Sequence, residues 1–436
     1  MIKIQRYVEV DFHSIRRDIN DALNEVIGYV QKIVDDVRNR GDQALIEYSL
    51  KFDNVDIKKT GLRVTEEEIQ AAYKKADPKI IEALREASHN IREYHQRQIN
   101  LSWLDCPKGS LWGRMVRPLK RVGIYVPGGT ASYPSSVLMN GIPASVAGVE
   151  EIVMISPPNS HGELSPYTLI AAWELGIKEI YKVGGVHGIA ALAYGTETIR
   201  PVLKITGPGN IYVTAAKKLV FGDVDIDMLA GPSEIFIIAD SSADSKFAAA
   251  DMLSQAEHDV HSSAILATPD ENLANEVKRE IDRQLKGLPR ESIARKSIEN
   301  NGLIVITEDI FEAVQAANDY APEHLEIMVE EPLHILEKIE TAGTVFLGLY
   351  TPEPVGDYWG GTNHILPTGG TARFASPLGV EDFIKFIGVL GYSKEKLFND
   401  GEKIASLAEA EGLDAHARAV LIRLRDGEAN EKGWKN

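Results

Sequence analysis

Cysteine is nearly absent: of 436 residues, only Cys106 carries a thiol. No intrachain disulfide can form, which excludes the disulfide-stapled secreted folds. Positive charge is also in short supply, with 47 Lys and Arg against 64 Asp and Glu, a net charge of −17. An acidic surface repels phosphate backbones and anionic lipid, so neither nucleic acid nor membrane is an expected partner. Long apolar runs are missing. The longest uncharged stretch lies between Arg121 and Glu150, and Pro127, Gly128, Gly129, Pro134, Gly141 and Pro143 break it. It reads as strand, Gly-rich loop and helix rather than a membrane span. Met1–Arg6 enters charged sequence with no apolar h-region; together with the lone cysteine, this makes the cytoplasm the expected location. What remains is ordinary for a globular protein: 44% hydrophobic and 25% charged residues.

The length suits two to three domains. Residues 15–100 read as helical, with Ala22-Leu23, Val26-Ile27, Val30, Ile33-Val34 and Val37 forming one apolar stripe. Thr65-Glu66-Glu67-Glu68 has the form of a capping box. From Val122 the texture changes. Strand candidates at 122–126, 151–156, 180–183, 235–238, 264–268, 303–307 and 344–347 alternate with helical patterns at 165–175, 189–194, 245–258 and 272–285. Alternation of this kind predicts an α/β fold with two parallel sheets, broken near 227–234. Beyond Gly379 the chain reads as helical and increasingly charged.

Polar side chains capable of chemistry concentrate in a few Gly- and Pro-rich motifs. Pro127-Gly128-Gly129-Thr130 and Gly207-Pro208-Gly209-Asn210 each follow a short β-type run, where a Gly-rich turn lets backbone N–H groups approach a phosphate or ribose. Neither is a dinucleotide fingerprint, since Tyr212 stands where a third glycine belongs. Tyr125, Ser135, Ser136 and Asn210 add hydrogen-bonding groups nearby. Gln255 and His258 are one helical turn apart, and Asp357 and His416 lie in other motifs. One Asp, two His and a Gln make a mixed N/O donor set suited to zinc with open positions, or to manganese, cobalt or iron; the bland alternative is a solvated helix end. Glu323-His324 follows Pro322 in what reads as a loop, and an adjacent carboxylate and imidazole can divide proton handling. Cys106 has no histidine near it in sequence and reads as incidental, and His261 reads as an exposed neighbour of His258.

Taken together these segments resemble the histidinol dehydrogenase family. The resemblance spans nearly the whole chain, including residues 40–45, 122–129, 133–140, 207–218, 227–234, 254–259, 321–326, 356–374 and 411–416. It implies a zinc- and NAD-dependent oxidation of L-histidinol through L-histidinaldehyde to L-histidine, in an intertwined homodimer. It also implies one zinc per subunit, held by Gln255, His258, Asp357 and His416, the last reaching over from the partner subunit. Glu323 and His324 become the acid/base pair. Ser233, Gln255, His258, His324, Asp357, His364, Glu411 and His416 become substrate contacts, and Tyr125, His187 and Asn210 cofactor contacts. The implied fold is two Rossmann-like parallel-sheet domains with small helical N- and C-terminal extensions. Residues 1–23 form the first extension, 24–124 with 234–378 one α/β domain, 125–233 the NAD-contacting domain, and 379–436 the extension that reaches the partner. His187 replaces the Gln usual in the family, and Phe386-Ile387 stands where polar residues are more common. Two alternatives remain at this level: a relative acting on another polar alcohol, such as a sulfonated diol, and a metal-dependent hydrolase, against which the Gly-rich turns count.

Overall fold

The computed structural model describes residues 2–15, 19–128 and 132–432; Gly129 and Thr130 of the first Gly-rich motif lie outside the described residues. Strand Glu234–Ala239 shows why the central strands have no polar alternation. Ile235, Ile237 and Ala239 enter one core layer while Phe236 and Ile238 enter another, so both faces are covered. It is the middle of a six-stranded, all-parallel sheet with the order Lys3–Arg6, Gly302–Ile306, Ser263–Thr268, Glu234–Ala239, His324–Met328, Thr344–Leu347. A second, five-stranded parallel sheet has the order Glu179–Lys182, Glu151–Ser156, Arg121–Tyr125, Lys204–Thr206, Asp225–Ile226.

Both sheets share one topology. The chain winds outward in one direction for three strands, then returns to the other side of its starting strand. Such a reversal opens a crevice between the two strands where direction changes, at their carboxyl ends. Both sheets carry helices on both faces, and the α/β fold with two parallel sheets is the one expected.

The details differ in several places. Residues 24–124, expected beside 234–378, bury Val30, Val37, Leu45, Ile69 and Ile91 against the five-stranded sheet instead, and strand Arg121–Tyr125 is that sheet's centre. The N-terminal segment is not purely helical, because Lys3–Arg6 pairs along Gly302–Ile306. By contact density the chain forms two compact units: Met1–Ile99 with Leu119–Phe383, and Asn100–Pro118 with Ile384–Asn436. The second unit is not purely helical either. Ile384–Tyr392 is a strand antiparallel to Ser110–Pro118, which also pairs with Trp103–Asp105. Its alternation, with Arg114 stacked on Phe386 at 4.2 Å, was masked by the flanking charge and by two glycines. Helices Lys394–Ala410 and Asp414–Lys432 complete this unit, and Gly401 leaves room for Leu424.

The five-stranded sheet is closed at its strand starts by an ion network around the buried Arg121. Arg121 reaches Glu151 at 2.5 Å and Glu179 at 2.9 Å, and Arg200 meets both carboxylates from outside. The Arg121 guanidinium holds the Glu179 carboxyl down at about 2, against an ordinary 4.5. A depressed carboxylate contributes its full stability above the unfolded value and loses it as pH falls through the folded one. Glu179→Gln is therefore expected to cost roughly 1–3 kcal/mol at neutral pH. It should also flatten the acid-unfolding limb between pH 4.5 and about 2 in denaturant titrations; an unchanged limb would contradict this role.

Candidate active site

One cavity of about 960 Å³ brings both sheets to a common site, and its size is at the upper end for small-molecule pockets. From the five-stranded sheet come Tyr125, Pro127 and Gly128 after one central strand and Pro208, Gly209 and Asn210 after its neighbour. These are the two loops that flank the reversal of strand order. Gly207 has φ +117, and a Cβ there would stand 2.0 Å from the Tyr125 carbonyl oxygen, so only glycine lets the two loops meet. A Cβ on Gly128 would strike the Pro157 carbonyl at 2.6 Å. The Tyr125 phenol accepts the Gly185 N–H, and burial pushes its pKa up to about 12.

Helix ends distinguish the two sheets electrostatically. After the strands of the six-stranded sheet, helices open on Asp244, Asp270 and Asp309, whose carboxylates take the first free N–H groups. Those ends are filled and anionic. After the strands of the five-stranded sheet, helices Pro134–Ala147, Pro166–Glu174 and Gly185–Tyr194 carry no side-chain cap, and Ile211–Val220 is capped by neutral Asn210. Those three starts leave N–H groups without a side-chain cap for an anionic ligand, and Gly185 at one of them lines the cavity.

The six-stranded sheet contributes its opposite edge, where strands begin. Glu323 and His324 are not a surface loop, as the sequence suggested: His324 opens a central strand, and the pair is 6% and 3% exposed. Ala321 turns the chain in a left-handed conformation before Pro322, and Gly343 lies so close that a Cβ would meet the Glu323 carbonyl oxygen at 2.4 Å. The backbone of Glu234 then orients both side chains. Its N–H donates to Glu323 Oε2 at 2.8 Å, and its carbonyl accepts from His324 Nδ1 at 3.0 Å. With Nδ1 engaged as donor, Nε2 is the basic nitrogen, and it lies 3.8 Å from Asp357 Oδ1. Burial pushes the Glu323 carboxyl up to about 8, and Glu323 and Asp357 together overcome the burial of His324 and hold it up at about 10.

Around them are the other residues singled out in the sequence. Asp357 lies on the short helix Glu353–Tyr358 rather than in a loop; despite its burial, the neighbouring His324 imidazole draws its carboxyl down to about 2. His364 Nδ1 donates to the Asp357 carbonyl at 3.2 Å. Gln255 ends helix Ser245–Ala256, fully buried, and neither atom of its amide has a hydrogen-bond partner. His258 lies past the helix end, its N–H on the Gln255 carbonyl at 3.2 Å, so a turn rather than a shared helix face brings the two together. Its ring is open to the cavity, whose crowded walls lower its pKa and keep it neutral. Ser233 lines the same space. His187 lines the cavity although only 1% exposed, with Nε2 3.4 Å from Ser49 Oγ and 3.8 Å from Asp53. Glu411 and His416 belong to the second unit, where both are exposed.

Among the described residues, ligand atoms of His324, Glu353 and Asp357 all lie within 4.8 Å of one another, an arrangement that can hold a cation. Glu353 was not singled out from the sequence, although its place four residues before Asp357 puts both on one helix face. The unpaired Gln255 amide is the strongest sign that the pocket wants a ligand, since an unsatisfied buried amide costs about 1–3 kcal/mol.

Comparison with known proteins agrees with this geometry. A family model described as histidinol dehydrogenase matches residues 16–424. The chain belongs to the histidinol dehydrogenase family. A histidinol dehydrogenase of Geobacillus kaustophilus is 55% identical over 95% of this chain and 98% of its own. One from Heliobacterium mobile is 50% identical over 97% and 100%. The crystal structure of histidinol dehydrogenase from Elizabethkingia anophelis superimposes with a TM-score of 0.89 at 42% identity, covering 92% of this chain and 93% of that one. The two-sheet fold is thus the family's fold. No helix among the described residues is long and apolar enough to cross a membrane.

A divalent cation entering beside Asp357 would compete with the proton that the neighbouring carboxyls favour on His324. Calorimetry of the metal-stripped protein in buffers of different ionisation enthalpy should therefore show proton release on Zn²⁺ binding, with affinity rising from about pH 6 to 8. PH-independent binding without proton release would contradict the arrangement.

Proposed function

We propose that the protein is a zinc- and NAD-dependent histidinol dehydrogenase that oxidises L-histidinol in two steps to L-histidine, at the end of histidine biosynthesis. The observation that carries this reading is the single cavity joining uncapped helix ends on one sheet to the buried Glu323–His324 pair on the other. A hydrolase needs the second feature but not the first. Family membership at about half identity over nearly the whole chain favours histidinol over another polar alcohol.

Gln255, His258 and Asp357 would hold the zinc, with the partner subunit's His416 as the fourth ligand. Zinc supplies a Lewis-acidic anchor for the substrate imidazole and amine, and its charge beside Asp357 favours the neutral, basic form of His324. NAD supplies the hydride acceptor; Tyr125 and Asn210 border its side of the cavity. His187, buried at the cavity lining beside Phe52 and Asp53, would act at the same side. Ser233, His364 and the partner subunit's Glu411 complete the substrate pocket.

His324 Nε2 takes the alcohol proton as hydride leaves the carbinol carbon, giving the aldehyde, NADH and one proton. Glu323, a strong base because burial raises its carboxyl to about 8, then removes a proton from the water that adds to the aldehyde. The hydrate yields a second hydride and a second proton, leaving the carboxylic acid. No thiol takes part, in keeping with the exposed position of Cys106.

A homodimer fits the second unit. Leu104, Trp112, Leu390, Leu407 and Ile422 are 61%, 51%, 72%, 70% and 57% exposed there, more apolar surface than a small unit leaves to water. The polar and acidic composition fits a cytoplasmic enzyme that binds neither nucleic acid nor membrane.

The decisive experiment is the NADH yield per L-histidinol consumed by the zinc-loaded protein. Two NADH with L-histidine as product is the expected result. No NADH with histidinol, but turnover of another polar alcohol, would replace the substrate; no NADH with any alcohol would favour the hydrolase.

A further inference from the structure

Behind the site, three elements that carry its side chains meet at a second carboxylate pair. Glu326 follows His324 by two residues on strand His324–Met328, so both side chains leave the same face of the sheet. That face is otherwise apolar: Met328 on it enters a core layer with Ile235, Ala248 and Met252. A carboxylate that is 1% exposed in such a layer is costly and calls for a compensating role.

Its contacts indicate the role. Glu326 Oε1 accepts the N–H of Glu353 at 2.7 Å, and Glu353 is the first residue of helix Glu353–Tyr358, one turn before Asp357. The Glu326 carboxyl also faces that of Asp251 on helix Ser245–Ala256, and burial raises both above the usual carboxylate range. One turn on, Ser254 Oγ lies 2.9 Å from the Asp251 carbonyl and 3.1 Å from Glu353 Oε2. Ser254 is the neighbour of Gln255. The strand of His324, the helix of Gln255 and the helix of Asp357 are thus tied to one another through Glu326, Glu353 and Ser254, with Asp251 facing Glu326 beside them.

We propose that Glu326, together with Asp251, is a positioning residue that holds Asp357 and Gln255 in register with His324. It touches neither substrate nor cofactor and acts through the helix start at Glu353. The inference rests on the zinc reading above only for its effect on affinity; the tie itself belongs to the metal-free protein.

Glu326→Leu keeps the side-chain volume and removes the acceptor, whereas Glu326→Gln keeps an acceptor for the Glu353 N–H and offers Asp251 a donor. In the metal-free protein, Glu326→Leu should speed amide exchange across residues 353–358 at least tenfold and leave helix 271–284 unchanged. Glu326→Gln should exchange like the wild type. In calorimetry, Glu326→Leu should bind Zn²⁺ about 10- to 100-fold more weakly, with Glu326→Gln restoring affinity to within about threefold. Wild-type exchange and wild-type Zn²⁺ affinity in Glu326→Leu would overturn the proposal, as would a folded Glu326→Gln that rescues neither. If the wild type itself binds no Zn²⁺, the zinc reading fails while the exchange result still decides the tie. Asp251→Leu, which removes the other half of the pair, gives the same readouts should Glu326→Leu not fold; unchanged exchange there would equally count against the tie.

Discussion

The peptide groups of Glu234 fix the chemistry of this molecule. One N–H holds a carboxylate oxygen of Glu323 and one carbonyl holds the Nδ1 proton of His324, so a single residue sets the orientation of two side chains and the tautomer of one. This is possible because Glu234 and His324 open adjacent strands in the centre of a fully covered sheet. The backbone there is rigid, and burial raises the Glu323 carboxyl to about 8, into the range where a base works near neutral pH. Loosening the first residue of either strand would release both groups at once.

Under the proposed function, the rest of the architecture would bring a cofactor to that pair. Both sheets have the same strand reversal, and each could offer a ligand crevice at its carboxyl edge. The cavity takes its loops from that edge of the five-stranded sheet, where helices start on glycine, proline loops or a neutral cap, while Asp244, Asp270 and Asp309 close three helix starts of the other. The six-stranded sheet works from its opposite edge, where a strand start can bury an acid and a base together. One topology used from two edges makes one cavity, with anion-binding capacity at one end and proton transfer at the other.

Much of this was legible in the sequence, and the failures have physical causes. Apolar runs such as Ile235–Ile238 announced buried parallel strands, and the Gly-Pro-Gly run announced a turn after a strand; the approach of Gly207 to the Tyr125 carbonyl was not legible there, because the two loops meet only in the folded sheet. Glu323-His324 read as a loop because Pro322 and two polar residues mask a strand whose start is buried by tertiary packing alone. Glu326 and Asp251 escaped notice because an acid on a core face carries no periodic signal; only the helix start that it holds explains it. Ile384–Tyr392 was read as helix because its partner strand lies about 270 residues earlier, and such pairing leaves no local mark.

The central claim is that one backbone residue poises two side chains for two different steps, and separating those steps tests it most directly. Glu323→Gln keeps an acceptor for the Glu234 N–H but loses the base. Supplied with histidinaldehyde and NADH, the variant should reduce the aldehyde to histidinol within about tenfold of the wild-type rate, since that direction needs only His324. Supplied with histidinaldehyde and NAD, it should form histidine at least about a hundredfold more slowly. Equal losses in both directions would contradict the division of labour between the two residues.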